Sequence, residues 1–331
     1  MRLAIAILNW NGESLLREFL PSVVQYSNPS DIYVIDNGSD DNSVQVISDQ
    51  FPSVKIIRHK DNYGFTRGYN LGLQVVDADI ICLLNNDVMV SPEWTKPILK
   101  AFSTDPELAV LQPKILDYKD KNSFEYAGAA GGYIDRFGFP YCRGRLFETL
   151  EPHEGRYSND ADIHWASGAC LFIRKSVFDE VNGFEDSFFA HMEEVDLCWR
   201  LRNLGYKIKY CGESAVYHRG ASTLSNASPR KTYLNFRNSL YMLVRNLPSK
   251  HLFGILFLRL VMDGLAALKF FFEAELTHAW AVLRAHFSFY GNLKSLLEQR
   301  RSLPEPQLNY YHKTSIVWSY FVLGKRTFDR L

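Results

Sequence analysis

The sequence predicts an α/β fold, a doubly wound and mainly parallel sheet, on two observations. Short apolar runs at Leu3–Leu8, Ile32–Ile35, Val54–Ile57 and Ile80–Leu84 are interleaved with helix-like stretches, the ordering that builds parallel sheets. Three of these runs stop in polar clusters, Asn9–Gly12, Asp36–Asp41 and Asn85–Asp87. Open α/β sheets bind ligands beyond the carboxyl ends of their strands, so the clusters predict one binding edge.

Leu3–Leu8 is the first strand and Asn9-Trp10-Asn11-Gly12 a tight loop. A helix follows from Ser14 to Tyr26, with Leu15, Leu16, Phe19, Leu20, Val23 and Val24 on one face. Ile32–Ile35 is the second strand, and the polar loop after it also caps a helix at Ser43–Asp49. Val54–Ile57, the third strand, ends in Arg58, and residues Asn62 to Gly72 lead into another helix. Ile80–Leu84 is a buried strand running into Asn85, Asn86 and Asp87. These groups offer the oxygen ligands that Mg²⁺ and Mn²⁺ take; the alternative is a turn capping a helix that begins near Ser91-Pro92-Glu93. The first loop has a single glycine, so the Gly-x-Gly-x-x-Gly dinucleotide fingerprint is missing, as is a Walker A lysine.

Residues 117–162 carry no sustained periodicity and read as a long functional loop. Ile163–Ile173 reads as a strand with a bend at Ser167-Gly168. A helix then begins near Glu193, with Leu197, Leu201 and Leu204 on one face and Glu193, Glu194 and Asp196 crowding its first turn. Such carboxylates serve as a general base or, alternatively, cap the helix and pair with Arg200. His218 ends a strand at Ser214–Tyr217 and is either a metal ligand or a loop imidazole with a satisfied hydrogen bond.

Formal net charge is +0 over 331 residues, but residues 232–331 hold 13 Lys and Arg against 6 Asp and Glu. That basic tail on an acidic body suggests an anionic partner. Its basic residues are scattered through apolar helices, which disfavours nucleic acid. The five cysteines form no CxxC pair and read as buried, reduced thiols of a cytoplasmic protein. The N-terminus reads as a strand and not as a signal peptide.

Taken together these motifs resemble the inverting family 2 glycosyltransferases, in particular the bacterial rhamnosyltransferase-like branch. The residues are Leu8-Asn9-Trp10-Asn11, Val34-Ile35-Asp36-Asn37-Gly38-Ser39, Asn62-Tyr63-Gly64-Phe65 with Gly68 and Asn70, and Leu84-Asn85-Asn86-Asp87-Val88. Trp165-Ala166-Ser167-Gly168-Ala169, Asn182-Gly183-Phe184, the Glu193-to-Leu201 helix and Val216-Tyr217-His218-Arg219-Gly220 complete the set. The resemblance implies a type A glycosyltransferase fold over residues 1–231, with a helical extension over 232–331. It implies a nucleotide-diphospho-sugar donor held by Asn9, Asn11, Asp36, Asn37, Asn62, Gly64, Arg67, Asn70, Asn85 and Asn86. Asp36 would accept the nucleobase N–H. Asp87 and His218 would bind Mg²⁺ or Mn²⁺, and Trp165, Ser167 and Gly168 would meet the sugars. Glu194 takes the base position, where the family usually has Asp, so either the helix sits slightly further back or Glu193 or Asp196 takes part. dTDP-rhamnose is the donor the branch suggests, and the acceptor is a glycan or lipid-linked glycan of bacterial surface polysaccharide. The substituted base keeps two alternatives open: a silent sugar-nucleotide-binding assembly protein, or an enzyme charging a polyprenyl phosphate.

In the C-terminal third, Leu252–Phe272 is broken by Arg259, Asp263 and Lys269 and does not read as a membrane span. With Glu273 and Arg284 these charges fall in one arc of a continuous helical wheel. The expectation is a helix lying in the inner face of the cell membrane, its polar stripe toward water and aromatic anchors at Phe270–Phe272, Trp280, Phe287, Phe289 and Tyr290. Packing on the catalytic domain or on a second subunit, with the charges facing water, is the other reading, and a true membrane span the third.

Overall fold

The computed structural model describes residues 1–220 and 228–331. The strands and helices of its first half are β1 (Leu3–Asn9), α1 (Glu13–Tyr26), β2 (Asp31–Asp36), α2 (Ser43–Gln50), β3 (Lys55–Arg58), α3 (Gly64–Gly72), β4 (Ile80–Asn85), β5 (Val88–Val90), α4 (Thr95–Thr104) and β6 (Leu108–Asp117). Then come four short strands, β7 (Gly132–Ile134), β8 (Pro140–Cys142), β9 (Arg145–Leu146) and β10 (Thr149–Leu150), followed by β11 (Ala161–Asp162), β12 (Cys170–Arg174) and α5 (Lys175–Glu180). The chain continues through α6 (Glu193–Asn203), β13 (Lys207–His218), α7 (Pro229–Asn246), α8 (Ser249–Phe272) and α9 (Leu276–Arg300).

The main sheet runs β11-β13-β6-β12-β4-β1-β2-β3, with β5 on β13. The strands read from the sequence pair in parallel, β4-β1-β2-β3, and β6 is parallel to β13. Between these halves β12 is antiparallel to both β4 and β6. Alternate residues of each strand face opposite sides, and both sides are buried. Ile5, Ile7, Val34, Cys82 and Leu84 pack with Leu16 and Leu20 of α1, Ile47 of α2 and Phe102 of α4. Ala6, Ile35, Ile81 and Leu83 lie in the other cluster with Tyr69 of α3, Phe178 of α5, Leu197 of α6 and Leu240 of α7. Burial on both faces explains the unbroken apolar runs.

Several expectations are corrected. The segment from Ile163 is not one strand: only Cys170–Arg174 joins the sheet centre, because the backbone turns at Ser167, where Cys170 N–H donates to the Ser167 carbonyl at 3.2 Å. Residues 117–162 are not loop alone; β7–β10 form a small antiparallel sheet whose two- and three-residue strands are too short to show a period. After Asp87 the chain first makes β5, and the helix begins at Thr95.

The polar stripe is divided: Lys269, Glu273 and Arg284 are exposed, as expected, while its other two charges turn inward. Arg259 and Asp263 of α8 are buried and paired at 2.9 Å, with the guanidinium 3.8 Å from the Phe139 ring centroid. Arg284 belongs to α9, because the chain breaks between Phe272 and Leu276. The faces of α8 and α9 turned outward are rich in large apolar side chains, with Lys269, Glu273 and Arg284 among them: Phe253, Phe272 and Phe287 are 84%, 81% and 67% exposed. No helix among the described residues is long and apolar enough to cross a membrane.

Candidate functional site

The ends of β1, β2 and β4 meet at one edge, as the polar clusters predict. The Asn9 carbonyl accepts from Asn37 N–H at 2.8 Å, and Asn9 Oδ1 accepts from Asn86 Nδ2 at 2.9 Å. A Cβ on Gly12 would stand 2.2 Å from Asn9 Oδ1, so only glycine allows this approach. Asn11 Oδ1 caps Asp40 N–H at 2.8 Å. Asp36 is buried; its Oδ2 receives a long bond from Ser39 N–H, 3.4 Å, and its Oδ1 has no partner. A buried acceptor left empty costs about 1–3 kcal/mol, and this one suits a ring N–H.

Other amides are occupied by the protein itself. Asn37 Nδ2 donates to Asn62 Oδ1 (3.1 Å) and to the Gly64 carbonyl (3.0 Å), while its Oδ1 accepts from Tyr63 N–H. Asn62 Oδ1 also accepts from Gly64 N–H at 2.9 Å. Gly64 has φ +77° and lies against the Phe189 ring, where a Cβ would come within 2.5 Å. Asn70 uses Nδ2 on the Phe184 carbonyl and Asp186 Oδ1, and Oδ1 on Phe184 N–H. Asn37 and Asn70 therefore bracket the loop with both ends of their amides, whereas the exposed Asn62 gives it only Oδ1. Arg67 is exposed and stacks 5.0 Å from the Tyr63 ring.

Asp87 and His218 do meet. His218 Nε2 is 3.1 Å from Asp87 Oδ1 and 3.4 Å from Asn85 Nδ2, and Arg219 N–H donates to the Asp87 carbonyl at 3.0 Å. The pairing of β5 with β13, which sets His218 opposite Val88, brings them together. On the far side of the ring, Nδ1 lies 3.2 Å from Glu125 Oε2, off the line of an ideal hydrogen bond. Burial disfavours charge on His218, but Glu125 and Asp87 outweigh it and raise its pKa to about 10. Glu125 sits at the start of the small-sheet segment, its Oε2 accepting Ala127 N–H at 2.6 Å. No sequence signal marked it.

In this structure the pair is a hydrogen-bonded ion pair, and its spacing is also one that two ligands of a divalent cation can have. Ligands about 2.1 Å from one octahedral ion and at right angles stand about 3.0 Å apart, and the observed separation is 3.1 Å. No group of three or more His, Cys, Asp or Glu side chains among the described residues is placed to hold a metal. Mg²⁺ commonly takes one or two carboxylates and completes its shell with water and phosphate. Glu125 behind the imidazole is the kind of partner that orients a ligating histidine.

The carboxylates of α6 divide. Glu193 Oε2 and Glu194 Oε2 are buried without partners at the helix N-terminus. Burial raises the Glu194 carboxyl to about 7, and backbone N–H groups of the first turn only partly offset it. Burial raises Glu193 well above its ordinary value, and the Glu194 charge adds to this. Asp196 is different. It accepts from Arg200 Nε (2.8 Å), Arg245 Nε (3.0 Å) and Asn246 Nδ2 (2.7 Å), tying α6 to α7. Burial opposes its charge, but the two guanidiniums hold its pKa below the usual range. Asp196 is thus a structural counter-ion and is withdrawn as a candidate base.

Trp165 is also corrected. Its ring lies over Gly132, where a Cβ would come within 2.1 Å, and its Nε1 donates to the Tyr133 carbonyl at 2.9 Å. It is core, with no edge free for sugar. Ser167 is buried too, its N–H donating to Gln112 Oε1 and its Oγ accepting from Ala169 N–H. Gly168 faces the Phe65 ring.

Arg145 is a second residue the sequence did not point to. Its guanidinium is 9% exposed, stands 4.4 Å from the Tyr126 ring centroid, and reaches Cys142 Sγ and the Phe147 carbonyl at 3.4 Å each. Its Nε–H is unpaired. Burial raises the Cys142 thiol, and the charges of Glu125 and Glu194 both add to that.

Comparison with known proteins identifies the family and the fold. The model of glycosyl transferase family 2 matches residues 4–181. The N-acetylglucosaminyl-diphospho-decaprenol L-rhamnosyltransferase of Mycobacterium tuberculosis is 28% identical over 238 residues, 66% of this chain and 76% of that protein. The O-antigen chain rhamnosyltransferase RfbN of Salmonella typhimurium is 27% identical over 240 residues, 71% of this chain and 70% of that protein. The crystal structure of GalNAc-T7 with UDP, GalNAc and Mn²⁺ superposes with TM-score 0.63 at 15% identity, covering 98% of this chain and 56% of that one; at that identity the likeness is one of fold. With the family model matching over half of its length, this chain belongs to glycosyl transferase family 2 and is a rhamnosyltransferase-like glycosyltransferase.

Proposed function

We propose that the chain is a metal-dependent, inverting glycosyltransferase of bacterial surface polysaccharide synthesis. It moves a sugar from a nucleotide-diphosphate donor, dTDP-rhamnose being the first candidate, to a hydroxyl of a glycan or lipid-linked glycan. The observation that carries the reading is the set of buried, unpartnered carboxylate oxygens on Asp36, Glu193 and Glu194. A fourth such oxygen, Asp263 Oδ2, has His286 Nε2 at 3.5 Å to offset it; those on Asp36, Glu193 and Glu194 have no cation beside them among the described residues and suit a ligand. The rhamnosyl relatives support the donor, and the name of the M. tuberculosis protein supports a diphospholipid acceptor.

Asp36 accepts the N–H of the base and seats the nucleotide at the end of β2. Asp87 and His218 would hold Mg²⁺ or Mn²⁺, with Glu125 fixing the imidazole. The bound ion supplies positive charge for the departing diphosphate. Arg145, whose buried Nε–H is unpaired, would add a fixed cation. Glu194, whose carboxyl burial raises to about 7, takes the proton of the acceptor hydroxyl. The acceptor oxygen bonds to the anomeric carbon from the face opposite the nucleotide. The old carbon–oxygen bond breaks with its electron pair leaving on the diphosphate, and configuration inverts. The outward apolar faces of α8 and α9 rest on the inner surface of the cell membrane, where a lipid-linked acceptor would be met.

The test is thermal-shift screening against nucleotide diphospho-sugars with Mn²⁺ or Mg²⁺, followed by transfer assays on wild type and Asp87→Ala. The expected result is metal-dependent stabilisation by one donor class and loss of transfer in a folded variant. Full transfer by Asp87→Ala would overturn the metal assignment.

A further inference from the structure

Between α7 and α9 lies a cavity of about 620 Å³ lined by Arg230, Tyr233 and Arg237, by Trp280 and Arg284, and by Phe189. Three guanidiniums line it. Arg230 stands 4.9 Å from the Phe189 ring centroid, and Arg237 and Arg284 stand 5.3 and 5.2 Å from that of Tyr233. Arg237 donates to the Ser187 and Phe188 carbonyls and to Asn238 Oδ1. None of the three has a carboxylate partner among the described residues, whereas Arg200, Arg245 and Arg259 all do. Three uncompensated cations in one recess repel one another and favour a multiply charged anion. Planar guanidiniums braced on aromatic rings suit phosphate oxygens.

The position of the cavity narrows the ligand. Trp280, at its rim, is 57% exposed and belongs to the outward apolar row of α9 with Leu276, Leu283 and Phe287. At its other side Phe189 precedes Glu193 by only four residues. The segment 187–191 is held by Arg237 Nη2 and by Asn238 Nδ2, which donates to the Phe188, Ala190 and His191 carbonyls. The cavity thus bridges a hydrocarbon-seeking surface and the segment leading into the base.

We propose that this cavity receives the phosphate or diphosphate head of a lipid-linked acceptor. The acceptor's hydrocarbon chain stays in the bilayer along α8 and α9, and its sugar extends toward Glu193 and Glu194. The assignment rests on the glycosyltransferase reading for its catalytic end. Arg230 and Arg284 are exposed, so both can be replaced without opening the core.

The experiment compares full-length wild type with an Arg230→Gln, Arg284→Gln double variant. Binding is measured to phosphatidylcholine vesicles that are plain, doped with a polyprenyl diphosphate, or doped with phosphatidylglycerol. Nucleotide with Mn²⁺ is titrated in parallel as a control on the donor edge. The wild type should prefer the polyprenyl diphosphate vesicles, and the double variant should lose that preference by at least about tenfold with nucleotide binding unchanged. Retention within about twofold overturns the proposal. So does an equal loss on phosphatidylglycerol, which means contact with bulk headgroups, or a stable dimer that buries Trp280 and ignores vesicles. If arginine-dependent binding holds but no nucleotide sugar is ever bound or consumed, the catalytic reading falls and the cavity stands. If a donor is consumed but the vesicle preference is missing, the cavity assignment falls alone.

Discussion

Replacing Glu194 by Gln should move activity and stability in opposite directions. Burial raises the carboxyl to about 7 in the folded protein, against an ordinary value of 4.5. A carboxyl raised in this way stabilises the fold below the unfolded-state value, and that contribution is lost as pH rises through the folded-state value. At pH 8 the ionised Glu194 therefore costs up to about 3 kcal/mol, since each tenfold change in proton affinity on folding is worth about 1.4 kcal/mol. Gln keeps the volume and cannot ionise. Glu194→Gln should be more resistant to denaturant than wild type at pH 8, with the gain vanishing near pH 4.5. Its transfer rate should fall by about 10²–10⁴. For the wild type, a base titrating near 7 makes kcat/KM at pH 6 about a fifth of its value at pH 7, and less than about twofold higher at pH 8. Nucleoside diphosphate release at fixed ionic strength and urea unfolding at both pH values are the assays. A flat profile from pH 6 to 8, or a variant keeping more than about a tenth of the rate, would refute the assignment of the base.

Glu125→Gln removes the charge behind His218 and should weaken Mn²⁺ binding about 10–100-fold by titration, with restoration toward wild type in Glu125→Asp. Asp196→Ala strands Arg200 and Arg245 without their shared counter-ion; it should cost about 3–5 kcal/mol in chemical unfolding, while the pH dependence of any folded fraction stays that of wild type. Asp36→Asn should raise the donor KM with little change in kcat, since its vacant Oδ1 is placed to bind the base and not the reacting sugar; an unchanged KM would remove it from the donor site.

The binding edge was legible because its signals are local. A buried parallel strand ends where hydrocarbon gives way to amide and carboxylate, and Asn9, Asp36 and Asn85 to Asp87 show that change within two residues. The first turn of α6 was legible for the same reason. Glu125 and Arg145 were not: tertiary packing sets Glu125 against the distant His218, and Arg145 sits in a two-residue strand that carries no period. Trp165 was misread as a sugar contact since nothing nearby in sequence tells that Gly132 will lie beneath its ring.

Sequence alone determined the α/β class, the edge at which β1, β2 and β4 end, and the residue types gathered there, because alternation and burial are properties of short segments. Tertiary structure decided which of those groups are spent and which are vacant. Asp196 meets two guanidiniums while Glu194, two residues earlier on the same helix, meets none. It also decided which way the C-terminal helices face. A helical wheel places Arg259 and Asp263 together, but whether they look toward water or toward Phe139 depends on what packs against them. Here each charge is neutralised by the other, so the pair turns inward and the hydrocarbon faces outward.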